Sequence, residues 1–418
     1  MCELLGIFNS ILLYDIKLFT AMKLTFFMLD DLRVNRGTEN TLFNLLKYKP
    51  STIDIAIIEP TATETNPLIL SNSKVNELTR NCEIIKINSK LVVTLTKNNN
   101  NKVVVILSKA LTANRIFYAL KHTPKETLDK IRDTDIVYLY GNQSAIFFSK
   151  LNVPVVGSEH IYSASRLLIN RNKNIFNKIY HTLIYKIFYK NISFFHLLAG
   201  KEDTLNELNE YFNFKLKEIM VLPNGVDTSF FYPDYNVNNK KIRFLFVAAL
   251  QPGKGLDLLL PLIDRISNSD IEFHIAGGGE LADQIKANKR IIYHGVLSDI
   301  NLSRLYRECD VFIYPTHADV APLVILQALS SGLYVISSDY LKGIFDDFEN
   351  KYLEYLPLDI EKWYIRINEI INNSSMIKHD KKEEHVFVEN NNDWKIISKK
   401  FYDYMIKFYN SRSEKNNA

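Results

Sequence analysis

The chain has 418 residues, of which 47% are hydrophobic and 23% charged, and a formal net charge of +4. This length suggests two domains with real cores, and the composition excludes a disordered or fibrous chain. The charge alone is too small to imply a nucleic-acid partner, and no apolar run reaches the roughly 18 to 20 residues of a membrane span.

Cys2, Cys82 and Cys309 are widely spaced and form no CxxC pair. Neither a zinc site nor a disulfide framework is suggested, and a reducing, cytoplasmic setting fits. Residues 1–21 hold Glu3, Asp15 and a single basic residue, Lys17. A signal peptide needs a basic start and an unbroken apolar core. The stretch therefore reads as an N-terminal extension, with Met22 as an alternative start.

Residues 23–29 (KLTFFML) read as a buried strand, followed by the loop DDLRVNRG and a helix over about 38–47. Strand, glycine-containing loop and helix open a dinucleotide-type fold. Gly37 either lets backbone approach a ligand or makes a tight turn. Strands are expected at 54–59, 83–87, 91–95 and 103–107, some paired as hairpins. The alternation continues with a strand at 135–141, a helix from Gln143 and a strand within 153–160, just past which stands His160. Asparagine runs at 98–101 and 390–392 read as surface loops.

Residues 165–196 carry Arg166, Arg171, Lys173, Lys178, Lys186 and Lys190, interleaved with aromatics and without an acid. Such a helix either docks on an anionic membrane surface or presents a solvated basic face over packed aromatics. No RNA-binding motif accompanies it. A strand and helix follow over 194–208. Pro223, Asn224 and Gly225 then make a turn, and the domain boundary is placed near 234–240.

The second half restarts with a strand at 242–250; 271–281 reads as a strand into a glycine loop and a helix, where Gly277, Gly278 and Gly279 let backbone approach a ligand or turn sharply, and 290–299 as another strand. A helix over 299–308 precedes the stretch VFIYP-THADVA-PLVILQALSSG-LYVIS (311–337), which reads as strand, loop, helix, strand. With Pro322 as first helical residue, Ala321 at the cap offers no oxygen, and the amides of Leu323 and Val324 are open to an anion. Gln327 lies one turn on, and Asp319 before the helix can accept from hydroxyls. An anion cradle flanked by hydroxyl-binding groups suits a nucleotide-sugar; an ordinary water-capped helix is the plainer alternative. Residues 393–409 read as an amphipathic helix.

These stretches resemble GT-B glycosyltransferases, most of all the retaining family 4. Asp319-x7-Gln327 with QALSSGLYVI behind it is similar to that family's E-x7-E followed by small residues, with both glutamates replaced. PNGVD with the following FYP, RGTEN (36–40) and SEHIYS (158–163) are similar to other family segments. Where the family reads VGRL-x3-KG, this chain keeps Lys254 and Gly255 but has Ala249 in the arginine position.

Over about residues 22–410 the resemblance implies an α/β GT-B fold: two Rossmann-like domains facing a cleft, an acceptor domain at 22–235 and a donor domain at 240–392. The helix from 393 to 418 would cross back onto the first domain. It implies a metal-independent, retaining transfer of a hexose from a UDP- or GDP-linked donor to a glycan or lipid-linked acceptor. No cofactor and no nucleic acid are expected, and the enzyme would be cytoplasmic, docked on the membrane through 165–196. His160 and Asp319 would be catalytic. Gly37, Lys254, Gly278, Val296, Pro322, Leu323, Val324 and Gln327 would bind the donor. Two other readings are a decayed GT-B subunit that binds a sugar or a partner, and an epimerase of similar build.

Overall fold

A computed structural model describes residues 21–28, 32–34, 37–60, 70–87, 123–140, 145, 148, 151–158, 192–198, 206, 209–210, 218–236, 240–317, 319 and 321–416. The first half builds β1 (Met22–Phe27), α1 (Gly37–Lys47), β2 (Ile53–Pro60), α2 (Asn72–Leu78) and β3 (Cys82–Ile87). It continues with α3 (Lys125–Arg132), β4 (Ile136–Leu139), β5 (Val155–Ser158), β6 (Phe194–Leu197) and β7 (Ile219–Val221). The strands form one sheet in the order β3-β2-β1-β4-β5-β6-β7.

Every pairing in that sheet is parallel, which explains the near-continuous apolar runs: helices cover both faces, so few positions face water. Of the four strands among which hairpins are expected, only β2 and β3 lie within the described residues. β2 and β3 are joined through α2 and pair in parallel, because a right-handed crossover needs room for a helix.

The second half repeats the plan with β8 (Ile242–Val247), α4 (Leu256–Arg265), β9 (Ile271–Ala276), α5 (Ala282–Ala287), β10 (Ile291–Gly295) and α6 (Asp299–Glu308). Then come β11 (Val311–Tyr314), α7 (Leu323–Ser330), β12 (Tyr334–Ser338), β13 (Leu353–Leu356) and α8 (Ile360–Asn372). The sheet order β10-β9-β8-β11-β12-β13 reverses direction between β8 and β11. In such sheets ligands bind at the reversal, beyond the carboxyl ends of the strands.

Two helices close the chain, α9 (Lys381–Asn392) and α10 (Trp394–Asn416). The asparagine run at 390–392 is thus not a surface loop. It finishes α9, and the carbonyl of the buried Asn392 accepts from the Val226 amide at 2.9 Å. The Trp394 amide donates back to the Val226 carbonyl at 3.1 Å, and Thr228 hydrogen-bonds Asp393 through both its amide and its hydroxyl. A Cβ on Gly225 would lie 2.6 Å from the Trp394 ring, so this crossing tolerates only glycine there.

From the crossing α10 runs back over the first sheet. Trp394, Ile397, Phe401, Met405 and Phe408 form its buried stripe, at the spacing an amphipathic helix requires. Phe401 stacks on Phe26 at 6.0 Å, and Phe408 on Phe194 at 5.0 Å. The Tyr402 hydroxyl donates to the Leu45 carbonyl of α1.

The strands expected at 91–95 and 103–107, the helix from Gln143, most of the basic segment 165–196 and most of the helix after β6 lie outside the described residues. Residues 194–196 of that basic segment belong to β6. Among the described residues no helix is long and apolar enough to cross a membrane.

His196 of β6 is buried under α10. Its Nε2 faces the Leu222 carbonyl at 2.7 Å, so Nε2 must carry the proton, and Nδ1 accepts from the Tyr138 hydroxyl at 2.6 Å. Burial lowers the imidazole pKa to about 4, against the Leu222 carbonyl, which raises it. Between that value and the ordinary 6.5 the unfolded chain binds the proton and the folded one does not, so stability falls as pH drops through this window. The wild type is expected to lose up to about 3 kcal/mol more than a His196→Gln variant between pH 7 and pH 4. Denaturant titrations across that range measure it, and equal slopes for the two proteins would contradict the assignment.

Candidate functional site

The reversal point between β8 and β11 gathers most of the residues singled out from sequence. Two loops meet there, 248–255 after β8 and 315–321 after β11. Gly255 caps α4 in the left-handed region at φ +88°, and a Cβ on it would fall 1.9 Å from the Pro315 carbonyl oxygen. Only glycine allows both the conformation and the approach. The Gly253 carbonyl accepts from the His317 amide at 2.9 Å and the Thr316 hydroxyl at 3.2 Å, which binds the loops together.

That seam places Lys254 against Asp319. Their Nζ–Oδ2 distance is 2.6 Å, with side chains 23% and 19% exposed. The Tyr314 hydroxyl, at the end of β11, donates to the same Oδ2. Burial pushes the Tyr314 phenol well above its usual range, with the Asp319 charge adding to the effect, so it stays a donor.

Helix α7 begins beside this group. Pro322 was expected as the first helical residue; it occupies the cap position instead, with extended backbone (ψ 124°) and no capping side chain. The one-residue shift follows from its fixed φ and missing N–H, which suit either position. Among the described residues the amides of Leu323 and Val324 meet no acceptor; the first that does is Ile325, which donates to Pro322 at 3.3 Å. The helix stops at Gly332 (φ +74°), where Gly332 donates to Leu329 and Leu333 to Ala328, the paired bonds of a Schellman ending.

Gln327, half-buried one turn into α7, accepts at Oε1 from the Tyr306 hydroxyl at 3.2 Å. Leu323 packs on the core of the first sheet, and Asn224 donates to the Ala321 carbonyl at 2.9 Å. The helix start therefore sits where the two halves of the molecule meet.

The glycines 277–279 suit either close approach of a ligand or a sharp turn. Gly277 and Gly279 instead serve the chain itself: a Cβ on them would lie 1.8 Å from the Ala248 oxygen and 2.5 Å from the Leu250 oxygen. A Cβ on Gly278 would meet Val296 Cγ2 at 2.7 Å. Val296 stands 74% exposed on the rim beyond β10. Gly37, the exposed first residue of α1, has nothing within 4 Å of an added Cβ. His160 lies outside the described residues. Among those described, no group of three His, Cys, Asp or Glu residues could hold a metal ion.

The structure thus brings Lys254, Asp319, Pro322, Leu323, Val324 and Gln327 together, with Gly278 and Val296 along the rim of the same sheet. It adds three residues that sequence reasoning missed: Asn224, Tyr306 and Tyr314. Asn224 was read only as part of a turn. Tyr314 ends a strand directly before the binding loop, which was the one signal that could have marked it.

Residues 228–394 match the model of the family "Glycosyl transferases group 1". The chain is 31% identical over 159 residues to the UDP-Gal:alpha-D-GlcNAc-diphosphoundecaprenol alpha-1,3-galactosyltransferase of Escherichia coli, covering 31% of this chain and 41% of that one. It is 28% identical over 127 residues to the sulfoquinovosyl transferase SQD2 of Arabidopsis thaliana, covering 27% of this chain and 24% of that one. The matched stretches thus span between a quarter and two fifths of these relatives' own lengths.

Among solved structures, sucrose-phosphate synthase from Thermosynechococcus elongatus superposes with a TM-score of 0.67 at 12% identity, covering 93% of this chain and all of that one. HepE of Anabaena, solved in complex with UDP-glucose, superposes with a TM-score of 0.63 at 14% identity, covering 92% of this chain and all of that one. The fold is the α/β GT-B fold, two Rossmann-like units with the last helix crossing back. The match to the glycosyl transferases of group 1 covers residues 228–394, the second of these units and the crossing back.

Gly255→Ala is expected to destabilise the protein by more than roughly 2 kcal/mol, through strain and a backbone clash. Gly37→Ala should be neutral or stabilising by up to about 1 kcal/mol. Denaturant unfolding of both variants checks the contrast, and equal effects would mean the loop seam is not what requires Gly255.

Proposed function

We propose that the chain transfers a hexose from a UDP- or GDP-linked sugar to an acceptor hydroxyl, with retention at the anomeric carbon. The observation that carries this reading is the pair of amides at the start of α7 that meet no acceptor among the described residues, beside the Lys254–Asp319 pair, at the reversal point of the second sheet. Backbone N–H groups at a helix start, reinforced by the positive end of its dipole, fit a diphosphate.

In this mechanism Leu323 and Val324 donate to the donor's phosphate oxygens. Lys254 leaves Asp319 for the diphosphate and stabilises the charge that grows on it as the glycosidic bond breaks. Asp319 then receives the hydroxyls of the sugar. Gln327 binds the ribose, Val296 and Gly278 lie along the base, and Gly37 and His160 approach the donor and the attacking hydroxyl from the first lobe. Closure of the lobes excludes water and so limits hydrolysis. Fixed protein donors offset the leaving-group charge, so the reading requires no metal.

A lipid-linked acceptor is favoured by the substrates of two relatives. The E. coli enzyme acts on a diphosphoundecaprenol-linked sugar, and the gpi3 subunit of Schizosaccharomyces pombe belongs to a phosphatidylinositol N-acetylglucosaminyltransferase. The basic, aromatic segment 165–196 suits docking on an anionic, cytoplasmic membrane face.

Purified protein with a panel of nucleotide-sugars and a membrane lipid extract is expected to release nucleoside diphosphate. Lys254→Ala should lower turnover about 100-fold, and Asp319→Asn should cost more than Gln327→Glu. No release with any donor would favour a sugar-binding or partner-binding module, and an unchanged rate for Lys254→Ala would remove that lysine from the site.

A further inference from the structure

Behind the two polar side chains of the site stand two buried tyrosines. Tyr314 ends β11 and donates to Asp319 Oδ2 at 2.5 Å, the oxygen that also receives Lys254. Tyr306, from α6, donates to Gln327 Oε1 at 3.2 Å and lies 3.4 Å from the Val324 carbonyl. Their relative exposures are 2% and 0%. Phe312 lies between them, 5.8 Å from each ring centre, so the two phenols form one packed aromatic row. Rings held this way cannot swing their hydroxyls toward other partners. Burial raises both phenols well above their usual range, which keeps the protons on the oxygens.

The inner oxygen of each side chain is therefore taken. Among the described residues Asp319 Oδ1 and Gln327 Nε2 meet no partner, and those are the atoms left for a ligand. We propose that Tyr306 and Tyr314 are positioning residues that fix the hydrogen-bonding polarity of the donor pocket, so that position 319 offers an acceptor and position 327 a donor. Two glutamates held by the same phenols would offer two acceptors. Here the outward amide N–H of Gln327 requires a lone pair, which a ribose or phosphate oxygen supplies. The pocket thus takes a ligand with a hydroxyl donor near Asp319 and an oxygen acceptor near Gln327. This inference rests on the donor-site reading above.

A double-mutant cycle separates positioning from packing. UDP and GDP binding is measured by calorimetry for wild type, Tyr306→Phe, Gln327→Ala and the double variant, each checked by thermal melting. Tyr306→Phe is expected to weaken binding roughly 3- to 10-fold, the worth of one hydrogen bond, and to change nothing further when Gln327 is already alanine. An equal loss in both backgrounds, or no loss in either, overturns the proposal.

The cycle through Tyr314→Phe and Asp319→Ala, read as turnover with a donor sugar, must show the same disappearance. It serves as the independent arm should Tyr306→Phe fail to fold. If wild type binds neither nucleotide, the donor-site reading itself falls; if it binds and the coupling is absent, only the role of the tyrosines falls.

Discussion

Two peptide N–H groups at the start of α7, which meet no acceptor among the described residues, are the constraint on which the site depends. A helix start carries roughly half a positive charge, and unsatisfied donors in a half-buried position are costly unless water or an anion meets them. Proline at the cap guarantees the vacancy, because it brings no side-chain oxygen. The chain then brings further charge to the same place. Gly255 gives the β8 loop its approach to Pro315, and that approach carries Lys254 to Asp319. In this resting arrangement the lysine is neutralised by the aspartate. An arriving diphosphate would exchange one partner of Lys254 for another and free Asp319 at the same time, so the two recognition events are linked through one ion pair.

The site is also tied to the meeting of the lobes. Asn224 holds the Ala321 carbonyl, and Leu323 rests on the first lobe's core. A few residues further on, Val226 is bonded on both sides to the α9–α10 junction. The turn that ends the first lobe thus touches both the start of α7 and the strap that returns from the second lobe. Movement of one lobe against the other would be felt at the helix start. Lys47 of α1 adds a half-exposed ion pair to Asp227 of the same turn at 2.9 Å, where such pairs contribute little stability but favour one orientation.

Much of this was legible in the sequence because parallel sheets write themselves plainly. Short apolar runs broken by glycine loops gave β1, β2 and β11 within a residue or two, while the run read for β8 extends three residues beyond it. The α7 stretch was marked by Pro322 and Gly332 at its two ends. Long-range contact was not legible. Periodicity cannot tell a parallel partner from a hairpin, so the parallel pairing of β2 with β3 through α2 emerges only from the structure. An asparagine run is usually a loop, yet Asn392 is held in a helix by a carbonyl bond to Val226, 166 positions away in the chain. For the glycine triplet, ligand approach and sharp turn could not be told apart, because sequence cannot show that Ala248 and Leu250 already occupy that space. Tyr306 and Tyr314 lie in stretches that sequence marks only as a helix and a strand; only geometry reveals that their hydroxyls point at Gln327 and Asp319.

The most direct measurement of the central claim follows the two amides themselves. Protein labelled with 15N-leucine and 15N-valine, with the Leu323 and Val324 resonances assigned by substitution, is titrated with UDP and GDP. Both resonances are expected to move downfield and saturate with one of the nucleotides, as N–H groups that gain a phosphate acceptor do. Saturable binding that leaves Leu323 and Val324 unmoved would contradict the placement of the diphosphate at the start of α7.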